Sequence, residues 1–184
     1  DLKAWQTMLK RASDDSAPRI KVGIVAKYLN NQDTYMSVFE ALKSAAWAKN
    51  YQVEIDWIDA EKITHDNVGN LLKHVDGIVV PGGFGKRGLE GKIVAAQYAL
   101  KEKVPYLGLC LGLQMAVIAA ARNAGLTDAN TIELNANTKD PVIHIMEDQK
   151  YIDKMGGTMR LGNYPCKLEA GSLAKSVYGG RDVI

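Results

Sequence analysis

Residues 104–121 read VPYLGLCLGLQMAVIAAA. An apolar run with the character of a strand passes, across two glycines, into an alanine-rich run with the character of a helix. Cys110 stands at the junction, with Gly108 two residues before it and Gly112 two residues after. The same strand-then-helix alternation extends upstream to Ile20. IKVGIVAK (20–27) precedes a helical pattern from about Thr34 capped by Asp33, and VEIDWID (53–59) precedes one from about Asp66. GIVVPGG (77–83) precedes one from about Glu90. Strand runs that are apolar throughout, joined by helices, predict an α/β fold: a doubly wound, mostly parallel sheet with helices on both faces. In such sheets functional groups gather at the carboxyl ends of the strands, where Gly82, Gly83 and Cys110 fall.

Working outward, DLKAWQTMLKRASDDSAP (1–18) places Leu2, Trp5, Leu9 and Ala12 at helical spacing and ends in a polar stretch closed by proline. Residues 1–19 are therefore expected to be a linker helix and tail, and residues 20–184 the main domain. After Thr131 the pattern loosens into short segments, PVIHIM, GGTMRLG and YPCKLE, expected as strands, and a last helix through SLAKSVYG.

Among 184 residues, 47% are apolar and 24% charged, enough for one ordinary core. The net charge is +2 and basic residues alternate with acidic ones, so no stripe for nucleic acid is formed. Two cysteines make no disulfide framework, and neither has a partner at metal-ligand spacing. With no signal peptide and no apolar run of membrane length, the expected compartment is a reducing cytoplasm, without membrane association.

PGGFGKRGLEGK (81–92) contains a literal G-x-G-x-x-G at Gly83, Gly85 and Gly88. A dinucleotide fingerprint would follow the first strand and be answered by an acidic residue at the end of the next, but the next strand here ends at Cys110. A phosphate loop fails as well, since Leu89 and Glu90 stand where Lys and Ser or Thr are needed. Two readings remain: a loop that merely turns the chain, or one whose unencumbered backbone N–H groups hold an oxyanion.

Cys110 supplies a nucleophile for the second reading. Small residues on both sides let a nucleophile occupy a tight strand-to-helix turn that lifts its side chain above the sheet. The positive end of the following helix favours thiolate. The alternative for Cys110 is a small core hydrophobe, the commoner fate of free cysteine, and that is the expectation for Cys166 in YPCKLE.

GLCLGLQ together with PGGFG resembles the nucleophile elbow and oxyanion loop of triad-type, class-I glutamine amidotransferases, a three-layer flavodoxin-like fold. DTYMSVFEAL, PGGFGKRGLEGK, the Glu133 region and GGTMRLG narrow the resemblance to the amidotransferase domain of the CTP synthase family, and it covers about Ile20 to the end. The opening segment is similar to the linker that follows the synthetase domain in that family.

The resemblance implies that Cys110 attacks the side-chain amide of L-glutamine, giving a glutamyl thioester and ammonia. It places Gly83 and Leu111 as oxyanion-hole donors, and Gly83, Leu111, Gly112, Leu113, Gln114 and Glu133 as the glutamine site. Glu133 would hold the α-amino group, although a solvated loop carboxylate is the ordinary fate of a glutamate. Lys86 to Gly91 match a lid associated with the effector GTP, and a solvated basic loop would look the same. For a full-length protein the resemblance implies ATP and Mg2+, a synthetase domain in the same chain converting UTP to CTP, and a homotetramer.

A cysteine amidotransferase also needs a histidine to set the thiolate and protonate ammonia, oriented by a carboxylate. His65 and His74 precede the nucleophile and His144 lies in PVIHIM, positions that suit ordinary surface or core histidines. In the family the catalytic His and Glu follow the segment matching SVYGGRDVI, so the chain is expected to stop short of them and to hydrolyse glutamine negligibly by itself. Another cysteine hydrolase of the same fold, or a non-catalytic binding module, are the competing readings.

Overall fold

The computed structural model describes residues 2–27, 29, 32–146 and 163–184. In chain order the elements are α1 (Leu2–Ala12), β1 (Arg19–Ala26), α2 (Met36–Ala48), β2 (Gln52–Asp59), α3 (Val68–Leu72) and β3 (Gly77–Val80). They continue with α4 (Leu89–Glu102), β4 (Tyr106–Gly108), α5 (Leu111–Asn123), β5 (Ala129–Thr131), β6 (Asp140–Ile143) and α6 (Leu173–Val177). Short 3-10 turns occupy Gln32–Tyr35 and Ala60–Lys62.

Strands β1 to β4 form one parallel sheet in the order β2-β1-β3-β4. The chain steps from β1 outward to β2 and then crosses back over β1 to β3, so the winding reverses beside β1, as in doubly wound folds. Successive side chains of a strand face opposite ways, and both faces are covered. Val22, Ile24, Ala26 and Val79 pack with Val38 and Leu42 of α2. Val25, Ile78 and Val80 pack on the other face with Leu72 of α3 and with Val94, Ala95 and Ala99 of α4. Burial on both sides is why these strands read as continuous apolar runs, and each fully buried Ile or Val contributes about 1.5–3 kcal/mol.

Helix α5 lies beside α4, where Ile93 and Ala96 meet Met115, Ile118 and Ala119. A methyl group on Gly91 would sit 1.9 Å from the Ala60 carbonyl oxygen, so α4 reaches the 3-10 turn only at a glycine. Strands β5 and β6 form a separate two-stranded parallel ladder, and Leu134, Val142 and Ile143 pack against the α4–α5 cluster. Helix α1 keeps Leu2, Trp5 and Leu9 exposed, while its end is tied to the domain by Arg11 Nη1, which donates to Ala48 O at 3.0 Å.

Several local expectations are corrected. Asp33 does not cap a helix at Thr34; both lie in a 3-10 turn, and Tyr35 holds the N-cap position of α2 without a side-chain bond. Helix α3 starts at Val68 rather than Asp66, because Asn67 uses its side chain on the preceding loop, accepting from Thr64 N at 2.8 Å. His144 follows β6 instead of lying within it, and β5 had no counterpart in the sequence reading.

Residue contacts divide the chain into two compact units, Asp1–His144 and Ile145–Ile184. Within the second, YPCKLE is not a strand: Lys167 forms an isolated antiparallel bridge with Val183, and the Cys166 N–H donates to Ile184 O at 2.8 Å. Cys166 is exposed there, contrary to the expected core position. Helix α6 is a single turn capped by Ser172, whose Oγ accepts from Lys175 N at 3.1 Å. GGTMRLG lies outside the described residues.

Candidate active site

Strand β4 ends at Gly108 and α5 begins at Leu111, leaving two residues in which to reverse direction. Cys110 makes the reversal with φ 53° and ψ −111°, a conformation that side chains rarely adopt and that costs on the order of 1–3 kcal/mol. The surroundings enforce it. Leu109 N donates to Val80 O at 2.9 Å, Gly112 N to Leu109 O at 2.9 Å, and Leu113 N and Gln114 N to Cys110 O at 3.0 and 3.2 Å. The two glycines are required by close approach: a methyl on Gly108 would lie 2.4 Å from Leu113 N, and one on Gly112 would lie 1.9 Å from Val80 O. Beneath the turn the Tyr106 hydroxyl donates to Gly112 O at 2.8 Å, and burial raises its pKa, keeping the phenol neutral as a donor. The result is an exposed thiol at the carboxyl edge of the sheet.

The glycine loop after β3 borders this thiol. A β-carbon built on Gly82 would stand 3.3 Å from Cys110 Cβ and 3.8 Å from its Sγ. One built on Gly83 would stand 3.9 Å from Leu111 Cδ2 and 3.3 Å from Lys27 Cε. Gly82, Gly83, Cys110 and Leu111 are thus neighbours. Among the described residues the N–H groups of Gly83 and Leu111 donate no hydrogen bond, whereas those of Gly112, Leu113 and Gln114 are used within the turn. Helix geometry leaves the Leu111 donor unpaired, and it adds the positive end of the α5 dipole.

The other expected site residues are placed less closely. Gly112 is buried under the turn, Gln114 is half-buried and Leu113 is exposed, all in the first turn of α5. Glu133 occupies an exposed turn after β5, its N–H donating to Thr131 Oγ1 at 3.3 Å, so it is a solvated carboxylate in this structure. No histidine among the described residues bonds to Cys110. His74 Nε2 lies 2.5 Å from Asp56 Oδ2, His144 Nε2 lies 3.0 Å from Pro141 O, and His65 lines a surface cleft with Tyr98 and Asn123. Among the described residues no group of three or more His, Cys, Asp or Glu side chains is placed to hold a metal ion.

Two residues escaped the sequence reading. Lys27, just past β1, donates from Nζ to Phe84 O and, at 3.3 Å, to Gly85 O. Lys92, in the first turn of α4, is wholly buried and donates to Pro81 O at 3.2 Å. A lysine directly after an apolar strand run, at the functional end of the sheet, was the available signal for Lys27. Lys92 offered none, because nothing local separates it from a solvated helix lysine.

The strand-to-helix cysteine, the facing glycine loop and the parallel sheet define a class of protein, and comparison agrees. Residues 31–181 match the family glutamine amidotransferase class-I, and the chain belongs to that family. The chain is 46% identical over 180 residues to CTP synthase of Listeria innocua, covering 97% of this chain and 34% of that protein. It is 52% identical over 179 residues to CTP synthase of Caldanaerobacter subterraneus subsp. tengcongensis, covering 97% and 33%. It therefore spans about a third of the length of the curated relatives it matches. Among solved structures, the glutaminase domain of Trypanosoma brucei CTPS with bound acivicin superposes with a TM-score of 0.77 at 36% identity, covering 89% of this chain and 64% of that one.

Proposed function

We propose that this chain is the glutaminase part of a CTP synthase and that Cys110 is its nucleophile. The observation that carries this reading is the positive-φ backbone of Cys110 beside Gly82, with Gly83 next to Leu111 and the N–H groups of both unpaired. A cysteine held at such cost in an exposed turn is suited to chemistry rather than packing. The Cys110 sulfur attacks the side-chain carbonyl carbon of L-glutamine, forming a C–S bond while the carbonyl electrons move onto oxygen. The Gly83 and Leu111 N–H groups stabilise that oxyanion, a contribution of about 3–4 kcal/mol per donor where it has been tested. Collapse breaks the C–N bond, ammonia departs with a proton from a general acid, and water then cleaves the thioester to glutamate and free thiol.

His74 and His144 bond elsewhere and His65 lines a cleft with Tyr98 and Asn123, so the acid and the carboxylate that orients it are assigned to the longer protein. Gly112, Leu113, Gln114 and Glu133 are assigned to glutamine, with Glu133 turning from solvent to the substrate's ammonium on binding. The synthetase domain that uses the ammonia with ATP, Mg2+ and UTP, the GTP response and the homotetramer likewise belong to the longer protein, in the cytoplasm. No helix among the described residues is long and apolar enough to cross a membrane.

The test is covalent labelling followed by peptide mapping. Acivicin, the compound bound in the trypanosomal glutaminase domain, should modify Cys110 and leave Cys166 untouched. Iodoacetamide should also alkylate Cys110 before Cys166 near neutral pH. Preferential labelling of Cys166 by both reagents would refute the assignment. Iodoacetamide reactivity at Cys110 without acivicin labelling would favour another cysteine hydrolase.

A further inference from the structure

Behind the glycine loop lie two lysines that the thiol chemistry does not use. Lys27 is 5% exposed and Lys92 0%. Removing an ammonium from water costs several kcal/mol even after relaxation, so each needs a structural or chemical counterpart. Both bond to backbone of the loop: Lys92 Nζ to Pro81 O, and Lys27 Nζ to Phe84 O and Gly85 O. A peptide unit is planar, so holding a carbonyl inward turns the following N–H outward. The bonds at Pro81 and Phe84 hold the Pro81–Gly82 and Phe84–Gly85 peptide planes, which flank the short segment that carries the Gly83 N–H. Gly82, Gly83 and Gly85 give the stretch no strong conformational preference of its own, so its shape must be imposed from outside.

The charges around the pair come from several elements. Lys92 is held at Pro81, the neighbour of the Gly82 that meets Cys110, and it feels the charges of Lys27 at the end of β1 and of Cys110. Lys27 faces Arg87 of the loop and Glu61 of the Ala60–Lys62 turn.

Resting on the amidotransferase reading of Cys110, we propose that Lys27 and Lys92 are positioning residues for that site. Their ammonium groups clamp the carbonyls of Pro81, Phe84 and Gly85, fixing from both ends the segment that carries the Gly83 N–H, and Lys92 lends positive charge to the sulfur. Burial pushes the Lys92 ammonium down to about 8, the charge of Lys27 acts in the same direction, and the Cys110 sulfur opposes them. The Lys92 charge is therefore present at neutral pH and lost in mild alkali, and its effect on Cys110 must follow the same course.

The experiment measures iodoacetamide alkylation of Cys110 relative to the exposed Cys166, in wild type, Lys92→Met and Lys27→Met, at about pH 7 and about pH 9.5. Methionine keeps an unbranched chain without charge. In Lys92→Met the relative rate is expected to fall at least about threefold at the lower pH and to converge with wild type at the higher, where wild-type Lys92 is itself neutral. An equal loss at both pH values, or none at either, overturns the charge role. In Lys27→Met, amide exchange across residues 81–88 should accelerate, with Lys27→Arg restoring protection. Unchanged exchange in Lys27→Met overturns the clamp, and a Lys27→Met chain that fails to fold while Lys27→Arg exchanges like wild type supports it. Preferential labelling of Cys166 by both iodoacetamide and acivicin in wild type would instead refute the amidotransferase reading itself, a separate outcome.

Discussion

The first turn of α5 touches the end of β3 at Gly112 and Val80, so closely that a methyl on Gly112 would lie 1.9 Å from the Val80 carbonyl oxygen. This contact sets where Cys110 stands relative to the loop that begins at Pro81, because Val80 is the last residue before that loop. The obstructing atom is backbone, so no side-chain rotation relieves it.

Gly112→Ala should therefore separate α5 from β3 and destabilise the chain by about 1–3 kcal/mol, a drop of roughly 3–10 °C in Tm. Gly69→Ala is the control: it sits within α3, its added methyl meets only Tyr98 at 3.8 Å, and it should be neutral or slightly stabilising. Equal melting temperatures for the two variants would contradict the close-approach argument.

Replacing Cys110 itself tests the backbone strain. Cys110→Gly is expected to be more stable than Cys110→Ala by about 1 kcal/mol, because only glycine adopts φ 53°, ψ −111° freely. Glycine usually lowers stability relative to alanine, so the sign is the diagnostic. Urea midpoints measured side by side decide it.

Gly83→Val places a branched side chain against Lys27 Cε, 3.3 Å from the new β-carbon, and disturbs the N–H proposed to hold the oxyanion. In the longer protein, glutamine turnover should fall about a hundredfold or more while the far-ultraviolet spectrum is retained. Unchanged turnover would remove Gly83 from the oxyanion site.

Stability should also depend on pH through Lys92. Its folded pKa is lowered from 10.5 to about 8 by burial. The folded chain therefore binds fewer protons than the unfolded chain between those values, and stability rises with pH across that window. Below it the buried charge carries its full penalty, so Lys92→Met should raise Tm near neutral pH, by about 1–3 kcal/mol in stability. The advantage should shrink toward pH 10.5 as wild-type Lys92 loses its proton. A gain that stays constant across the range would show that the ammonium is not the source.

Much of the architecture was legible because its causes are local. Strands buried on both faces leave uninterrupted apolar runs such as GIVV, and the helices between them carry recognisable boundaries, so the parallel α/β sheet could be read directly. Cys110 was legible for a related reason: a two-residue reversal from β4 to α5 demands glycine at 108 and 112, and the demand shows in the chain. Failures fell where local signals conflict with pairing. YPCKLE has an alternating character but among the described residues finds a single bridge, and the polar segment Ala129–Thr131 becomes β5 through its ladder with Asp140–Ile143.

The sequence by itself determined that a parallel sheet would present a cysteine and a glycine loop at its carboxyl edge, because strand burial and turn geometry are written in neighbouring residues. Only the tertiary structure decided that Gly82 meets Cys110, that Gly83 lies beside Leu111, and that Lys27 and Lys92 are buried against the loop between them. Those relationships join residues tens of positions apart, and whether a lysine is solvated or enclosed depends on which elements close over it, a property no local pattern encodes.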